Sequence, residues 1–394
     1  MNQNASGTHS PWKGLDYYAE EDKDLFFGRD REREELLRLL QRGTLTVLFS
    51  RSGLGKSSLL RAGLSPLLRD QNCLPVLVRI DYAASGPHPV QQIVSTTLAA
   101  AEAASIEVEV IGDAAASPEP GEWRGTLWEF FHRHRFWSAR NDPVTPVLML
   151  DQFEEIFTLG QQSRQADEFI VQFADLAENR MPRIVQSRLE TTDEKLNYDT
   201  RTPNYKLIVA LREDYVSRLD SLRPVMPAVM HNRYELTLLT AERALEVVMK
   251  AGGTLVTEAV AREIVAAVAG EKSAPTGATG AQAMTGEVEP AYLSVMCDEL
   301  YRRMIDRKKH TIDASLVTEE RDNILDAFYE RSFAGLQPAT RVFVEERLLT
   351  HGGFRSSLPR AETKDEGLPE SDIDRLIGCR VLRPVPRGAL RSPA

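Results

Sequence analysis

The chain has 394 residues, 42% of them hydrophobic, and a formal net charge of −10 at pH 7. This length fits two or three domains better than a single core. The sequence has no run of about eighteen apolar residues that could cross a membrane, and its start, MNQNASGTHSPWKG, lacks the basic and apolar regions of a signal peptide. The acidic balance argues against broad, nonspecific nucleic-acid binding. We therefore expect a cytoplasmic protein with no membrane partner, for which nucleic acid is not a main partner.

Strands and helices alternate through the first 236 residues, after a polar N-terminal arm at residues 1–25. The predicted strands TLTVLFS, LPVLVRIDY, PVLMLD and YKLIVAL are apolar throughout rather than at every second position. Helix-like segments lie between them, among them KSSLLRAGLSPLLRD, TLWEFFHRHRFW and QADEFIVQFADLAEN. Strands of this kind are typical of a parallel sheet covered on both faces. The pattern predicts a doubly wound α/β core over residues 26–236.

The remainder of the chain is mostly helical. Segments such as TAERALEVVMKAG and AYLSVMCDELYRRMIDRKK predict a helical domain at 237–320. Residues 271–288 interrupt it, and their Gly, Ala, Thr and Ser content without an apolar period predicts a flexible loop. Residues 321–394 contain short helices and one candidate strand, which indicates a small winged-helix-like domain.

The stretch that follows the first strand predicts a phosphate-binding loop. Gly53 and Gly55 precede Lys56 and Ser57 at the start of a helix, as in the Walker A pattern, with Ser50 where that pattern has its first glycine. Backbone N–H groups of such a loop, together with the helix N-terminus, form a cradle for anions. Lys56 would bridge the β- and γ-phosphates and Ser57 would bind Mg²⁺. The residues expected to bind ATP or ADP here are Ser52, Gly53, Leu54, Gly55, Lys56, Ser57 and Ser58.

Two later strands end in charged residues. Asp151 ends a buried strand, at the sheet edge where ligands bind in open α/β proteins. It is expected to hold Mg²⁺ through water. An aspartate at the end of a strand can alternatively cap the helix that follows. Glu154 or Glu155 would orient or deprotonate the attacking water, with Glu155 slightly favoured. Arg212 follows the next strand and could contact the γ-phosphate. Its alternative role is a local ion pair with a neighbouring carboxylate.

With these elements placed, the chain resembles the STAND class of P-loop NTPases, and in detail the bacterial group called novel STAND NTPase 1. The resemblance rests on PWKGLDYYAEEDKDLFFGRDRERE, SGLGKSSLLRAGLSPLL, LMLDQFEEIFTLG, VALREDY, VEPAYLSVMCDEL and VEERLLTHGGFRSS. It implies that Phe27, Gly28 and Arg29 lie against the adenine and that Pro290 closes over it from a helical lid. DQFEE also resembles the DGxDE arrangement of NACHT-type relatives. This supports a metal role for Asp151 and a hydrolytic role for one of the two glutamates.

The resemblance implies a molecular switch that binds ATP·Mg²⁺, hydrolyses it slowly and acts in signalling or antiviral defence. An effector domain, a repeat-built sensor and the His-Asp pair that follows the winged helix in relatives are not recognisable in the sequence. We therefore expect either a nucleotide-dependent homo-oligomer or a separate effector or sensor protein. Two alternatives stay open: a scaffold that keeps nucleotide without turnover, and an AAA+-like DNA-associated ATPase. The second draws on a series of C-terminal arginines, Arg375, Arg380, Arg383, Arg387 and Arg391.

Overall fold

The computed structural model describes residues 10–82, 86–111, 123–160, 163–191, 197–269, 286–320, 324–348, 357–359, 368–378, 381–385 and 389–391. These residues belong to two compact units. The sheet unit comprises residues 31–51 and 63–236, and the helical unit comprises residues 1–30, 52–62 and 237–394. No helix within the described ranges is long and apolar enough to cross a membrane.

One sheet of seven strands organises the described part of the sheet unit. Its strands are β1 (Leu45–Ser50), β2 (Cys73–Val78), β3 (Glu107–Val110), β4 (His134–Trp137), β5 (Pro143–Leu150), β6 (Lys206–Arg212) and β7 (Arg233–Glu235). Five of them run parallel in the order β2-β5-β6-β1-β7. Strands β4 and β3 extend the sheet with antiparallel pairing, next to the first residues of β5. The parallel α/β core predicted from the four apolar runs is confirmed.

Helices follow the strands of this unit, as the alternating pattern predicts. Their bounds are α1 (Asp30–Arg42), α3 (Ser65–Asp70), α4 (Pro89–Ala103), α5 (Leu127–Arg133), α6 (Arg164–Ala177), α7 (Arg183–Thr191) and α8 (Val216–Asp220), with α2 (Lys56–Ser58) preceding α3 in the chain. Short 3-10 helices cover Phe153–Phe157, Glu213–Tyr215 and Pro227–Met230. Phe130 and Phe131 of α5 belong to the core cluster of the sheet unit, and Trp128 of the same helix is also fully buried. The aromatic residues of this helix therefore fill the core.

Two segments differ from the sequence prediction. TLWEFFHRHRFW is not one helix: α5 ends at Arg133, and β4 begins at the next residue. His134 and Phe136 are buried while their neighbours are less so, an alternation that suits a strand with one covered face. Residues 183–191, for which no element was predicted, form α7 (Arg183–Thr191) with Val185 buried.

The helical unit begins with the N-terminal arm. Its described residues include a 3-10 helix at Glu20–Leu25 and the fully buried Trp12. The unit also contains α2 and the π-helical segment Leu59–Leu64 that follows it. Its other helices are α9 (Ala241–Gly252), α10 (Glu258–Val268), α11 (Pro290–Asp306), α12 (Ala314–Glu320), α13 (Ile324–Phe333), α14 (Pro338–Arg347) and α15 (Glu370–Gly378).

Short strands complete the helical unit. They are β8 (Leu239–Thr240), β9 (Glu287–Val288), β10 (Ser357–Pro359), β11 (Arg383–Val385) and β12 (Ala389–Arg391). Strand β9 pairs with β8 and buries Val288, so the loop predicted at 271–288 ends before Glu287. Most of that predicted loop lies outside the described residues. The last three strands form a small antiparallel sheet in the order β10-β12-β11 after several helices, an element order that suits the expected winged-helix-like domain.

Candidate functional site

The glycine loop adopts the backbone conformation that its sequence requires. Gly53 and Gly55 have φ values of +86° and +90°, in the left-handed region that side chains other than glycine rarely adopt. Gly55 is the N-cap of α2, and Leu59 N donates to Gly55 O at 2.8 Å, which closes the first helical turn. Lys56 and Ser57 are consequently the first two residues of a helical run that continues to residue 70. A Cβ at Gly55 would meet no atom within 4 Å, so the space beside it is open.

Residues of the N-terminal arm hold this loop within the helical unit. Arg29 is 4% exposed, and its Nη2 donates to the carbonyl oxygen of Leu54 at 3.2 Å. The backbone N–H of Tyr18 donates to Ser58 Oγ at 3.1 Å, and the guanidinium of Arg61 lies 4.4 Å from the centre of the Tyr17 ring. Arg29 therefore contacts the loop, and the N-terminal arm contacts the helical run that follows it. No local pattern indicates these contacts, because they join residues 25 to 44 positions apart in the chain.

The residues that the resemblance places at the adenine lie against helices of the same unit. Gly28 has a φ of +79°, and a Cβ there would lie 2.7 Å from Val247 Cγ2, in α9. The Nζ of Lys250, also in α9, is 5.6 Å from the centre of the Phe27 ring.

The lid residue Pro290 is the first residue of α11. A Cβ at Gly53 would lie 3.2 Å from Oε1 of its neighbour Glu289 and 3.6 Å from Ala291 Cβ. The start of α11 thus lies beside the glycine loop. The adenine role of Phe27, Gly28, Arg29 and Pro290 remains a prediction.

The second group of expected site residues lies at one edge of the sheet unit. Strands β1 and β6 end in register, with Ser50 opposite Arg212. Strands β5 and β2 also end in register, with Leu150 opposite Val78, and Asp151 N donates to Val78 O at 2.9 Å. Because all four strands are parallel, Asp151 and Arg212 lie at the same carboxyl edge, from which the chain leaves β1 two residues before the glycine loop begins.

The turn after Asp151 is tight and largely buried. Gln152 has a φ of 57°, and its N–H donates to Asp151 Oδ1 at 3.0 Å. The 3-10 helix that follows contains Glu154 and Glu155, which are 3% and 1% exposed. Asp151 itself is 7% exposed, and the N-cap of this 3-10 helix is Gln152 rather than Asp151. Both carboxylates considered for the hydrolytic role are thus deep in the unit.

The two glutamates differ in their partners. Glu155 receives two hydrogen bonds from Arg79, from Nε to Oε2 at 3.2 Å and from Nη2 to Oε1 at 2.6 Å. The phenol of Tyr82 also lies near Glu155: burial raises the Tyr82 pKa well above its usual range, and the Glu155 charge adds to the shift. Glu155 is therefore a paired, buried carboxylate, an environment that the sequence did not reveal.

Arg212 forms the local ion pair that was the alternative to phosphate contact. Its Nε lies 2.9 Å from Asp214 Oδ1 and its Nη2 lies 2.7 Å from Asp214 Oδ2. This fork uses two of the five N–H groups of the guanidinium, so a contact with a γ-phosphate through these two groups requires Arg212 to give up or share the pair. The expected contact with nucleotide remains a prediction.

The residues present fit a nucleotide with Mg²⁺. Gly53 and Gly55 both have left-handed backbone, and Gly55 leaves open space directly before a lysine at a helix start. Mg²⁺ usually takes one or two protein ligands together with waters and substrate phosphates. The Ser57 hydroxyl and the Asp151 carboxylate are donors of the type that this mode requires. When bound, the ion would neutralise charge on the phosphates.

Arg79 is the residue at the sheet edge that sequence reasoning missed. It directly follows β2 in the stretch LPVLVRIDY, just as Arg212 ends β6. A charged residue at the carboxyl end of a buried parallel strand was the signal used for Asp151 and Arg212, and the same signal was present for Arg79.

The family model described as Novel STAND NTPase 1 matches residues 11–350. No curated protein matches the sequence.

Three of the solved structures similar to the chain are archaeal proteins. The Walker-type ATPase paby2304 of Pyrococcus abyssi is 15% identical, with a TM-score of 0.46, over 96% of this chain and 97% of that chain. The ORC1 protein of Aeropyrum pernix, solved in complex with DNA, is 14% identical, with a TM-score of 0.47, over 99% and 95%. Cdc6p from Pyrobaculum aerophilum is 13% identical, with a TM-score of 0.45, over 93% and 90%.

Proposed function

The chain belongs to the novel STAND NTPase 1 family, and from this premise we propose that it is an ATP-binding molecular switch that hydrolyses ATP slowly. The observation that carries the proposal is the left-handed backbone at Gly53 and Gly55 directly before the helix that starts at Lys56. Such a loop turns backbone N–H groups toward an anion, and the helix start adds positive potential. A chain of phosphates is the ligand that this arrangement favours.

Each expected site residue has a role in the proposal. Lys56 contacts the phosphates, while Ser57 and Asp151 provide the oxygen ligands for Mg²⁺. One of the two buried glutamates orients the attacking water by accepting a hydrogen bond from it. Arg212 contacts the γ-phosphate when it is released from Asp214. Phe27, Gly28, Arg29 and Pro290 hold the adenine, as the family resemblance implies.

Binding is tested by calorimetry with ATP and Mg²⁺ on the wild-type protein and on Lys56→Ala. Loss of a charge-assisted contact is worth about 1.5–3 kcal/mol, so affinity should fall about 10- to 150-fold. The matched control is Lys309→Ala, which removes a lysine whose partner is Asp313 in the helical unit. Equal affinities for all three proteins would refute the phosphate-loop assignment.

Turnover and the bound nucleotide separate a switch from a scaffold. A switch releases phosphate in repeated cycles, whereas a scaffold keeps its nucleotide unchanged. Heating the purified protein and identifying the released nucleotide by chromatography tests the resting state: ADP is expected for a resting switch. Steady-state phosphate release that does not exceed a buffer blank would favour the scaffold.

The proposal includes association controlled by nucleotide, with signalling or antiviral defence in the cytoplasm as its setting. A ligand shifts an equilibrium only by its differential affinity for the two states, and nearly complete conversion needs about 5.5 kcal/mol. We expect a partial shift from monomer with ADP to a larger homo-oligomer, or to a complex with an effector or sensor protein, when ATP is present and hydrolysis is blocked. Light scattering after size exclusion, at equal protein concentration with either nucleotide, measures it. Identical masses, with no partner recovered from cell extract, would contradict it.

A DNA-associated ATPase is the second candidate, and the register of the small C-terminal sheet favours it. Arg383 in β11 stands directly opposite Arg391 in β12. Proteins neutralise DNA phosphates with Lys and Arg, and this register brings two arginines of the sequence to one pair position. Two of the five arginines in this region, Arg380 and Arg387, lie outside the described residues. A gel shift with duplex DNA that weakens with salt and is lost in Arg383→Glu/Arg391→Glu would support this candidate; no shift at low salt would exclude it.

A further inference from the structure

The Arg79–Glu155 pair joins two strand ends of the sheet unit. Arg79 follows β2 and is partly exposed, whereas Glu155 lies in the 3-10 helix after β5 with 1% of its surface exposed. Both oxygens of the carboxylate accept from the guanidinium, at 3.2 Å and 2.6 Å. A two-bond fork of this kind fixes the direction of a carboxylate as well as its charge.

This pairing limits what Glu155 can do. A group that orients or deprotonates water must present an oxygen lone pair to that water within hydrogen-bond reach. In Glu155, each oxygen already accepts one hydrogen bond from Arg79, which uses half of the lone pairs and fixes the direction of the rest. Successive side chains of a 3-10 helix point about 120° apart, so Glu154 faces a different direction from its neighbour. The two adjacent glutamates are therefore suited to different tasks.

The same pair anchors the turn that contains Asp151. Asp151 N donates to Val78 O at 2.9 Å. Arg79, the residue after Val78, donates to Glu155, which lies four residues after Asp151. Between these two attachment points lies Gln152 in the left-handed conformation, with its carbonyl accepting from Glu155 N at 3.0 Å. The turn is thus fixed at both ends to β2. Asp151 and Glu154 are carried by the segment so fixed.

We propose that Arg79 is a positioning residue for ATP hydrolysis: by holding Glu155 it fixes the turn so that Glu154 is the carboxylate that orients the attacking water. This inference rests on the proposed ATPase function. Glu155 is then an anchor, and neither Arg79 nor Glu155 touches the nucleotide.

The test compares single-turnover hydrolysis with ATP affinity in four variants. Glu154→Gln should bind ATP as the wild type does and hydrolyse it about 10²- to 10⁴-fold more slowly, as expected for loss of a positioned base. Glu155→Gln keeps the shape and part of the hydrogen bonding, and should slow hydrolysis about 10-fold or less. Arg79→Lys keeps the charge without the fork and should slow hydrolysis by about 10-fold, up to the 10² that a misplacement of about 1 Å can cost. ATP affinity should be unchanged in these three variants. A general loss of structure would lower that affinity as well, so the two causes can be told apart.

Because Arg79→Ala would remove a charged partner from a buried carboxylate and can unfold the protein, the fourth variant is the apolar pair Arg79→Met/Glu155→Leu, which is expected to fold. It should hydrolyse ATP more slowly than the wild type with the same affinity. Faster hydrolysis in Arg79→Lys would overturn the proposal, since it would mean that Arg79 restrains Glu155 as the catalytic base. A loss in Glu155→Gln as large as in Glu154→Gln would also overturn it. Absence of ATP binding to the wild type would instead refute the ATPase function itself.

Discussion

Arg29 Nη2 donates to the carbonyl oxygen of Leu54 at 3.2 Å, so a buried guanidinium before the first helix holds the middle of the glycine loop. The family resemblance places Arg29 at the adenine, whereas this contact is with the loop backbone. The two roles have different consequences for ligands that lack a base. A loop-holding residue affects every phosphate ligand, but an adenine-contacting residue affects only ligands that carry adenine.

Arg29→Ala is therefore expected to lower the affinities for ATP and for inorganic triphosphate by the same factor. The factor should be about 10-fold or more, because a hydrogen bond from a charged group contributes about 1.5–3 kcal/mol. Calorimetry with both ligands measures it. Arg31→Ala, which removes an exposed arginine two residues away, is the matched control and should leave both affinities unchanged. Weaker binding of ATP with unchanged binding of triphosphate would show instead that Arg29 contacts the adenine base.

The left-handed residue after Asp151 gives a second prediction. Gln152 has a φ of 57°, a conformation that costs a residue other than glycine about 1–2 kcal/mol. It occupies the position of the glycine in the DGxDE arrangement. Gln152→Gly should leave stability unchanged or raise it by less than about 1 kcal/mol, since the relief of strain is partly offset by the greater freedom of the unfolded chain.

The β-branched variant Gln152→Val should lower the free energy of unfolding by at least about 1 kcal/mol, because such residues fit this conformation poorly. Urea denaturation followed by circular dichroism compares the two variants. Equal stability of the glycine and valine variants would show that the turn adapts to its residue.

The sequence predicted the parts of the molecule that depend on local pattern. The apolar runs that became β1, β5 and β6 and the glycines before Lys56 each have a signal within a few residues. Strand β4 was missed because it directly follows α5 within one aromatic run and because its β3 partners lie 24 to 30 residues earlier in the chain. The partners of Arg29 and Arg79 were missed because each pair joins residues far apart in sequence. No periodicity encodes such pairs.

Acid should weaken the sheet unit through its buried histidines. His134 is 6% exposed and donates from Nδ1 to Phe130 O at 2.8 Å, and burial lowers its pKa. The unfolded chain takes up a proton as the pH falls below about 6.5, whereas the folded protein resists until lower pH. The unfolded state then binds more protons, so the contribution of His134 to stability is present above pH 6.5 and is lost as the pH falls.

The slope of stability against pH from this histidine is at most about 1.4 kcal/mol per pH unit. His134→Phe should therefore lose stability less steeply between pH 7 and pH 5 than the wild type. Its stability at pH 7 is lower because Phe130 O loses the imidazole donor and keeps only the backbone N–H of residue 134. Urea denaturation at a series of pH values gives both slopes. His132, whose pKa is also lowered chiefly by burial, remains in the variant and keeps part of the slope. Parallel curves for the two proteins would rule out His134 as a contributor.

The N-terminal arm is expected to be part of the core of the helical unit. Trp12 is 1% exposed and belongs to the same apolar cluster as residues of α9 and α11. A Cβ at Gly252 would lie 2.9 Å from Trp12 Cζ2, so the ring packs directly against the end of α9.

Trp12→Ala should lower the free energy of unfolding by about 3–5 kcal/mol, the cost of removing a buried aromatic side chain. Gly252→Ala should also destabilise, by about 1–3 kcal/mol, because it adds volume to a filled space. Trp137→Ala, at a half-buried tryptophan of the sheet unit, is the control and should cost less than Trp12→Ala. Circular dichroism during urea denaturation compares the three variants, and a loss below about 1 kcal/mol for Trp12→Ala would show that the arm is dispensable to the unit.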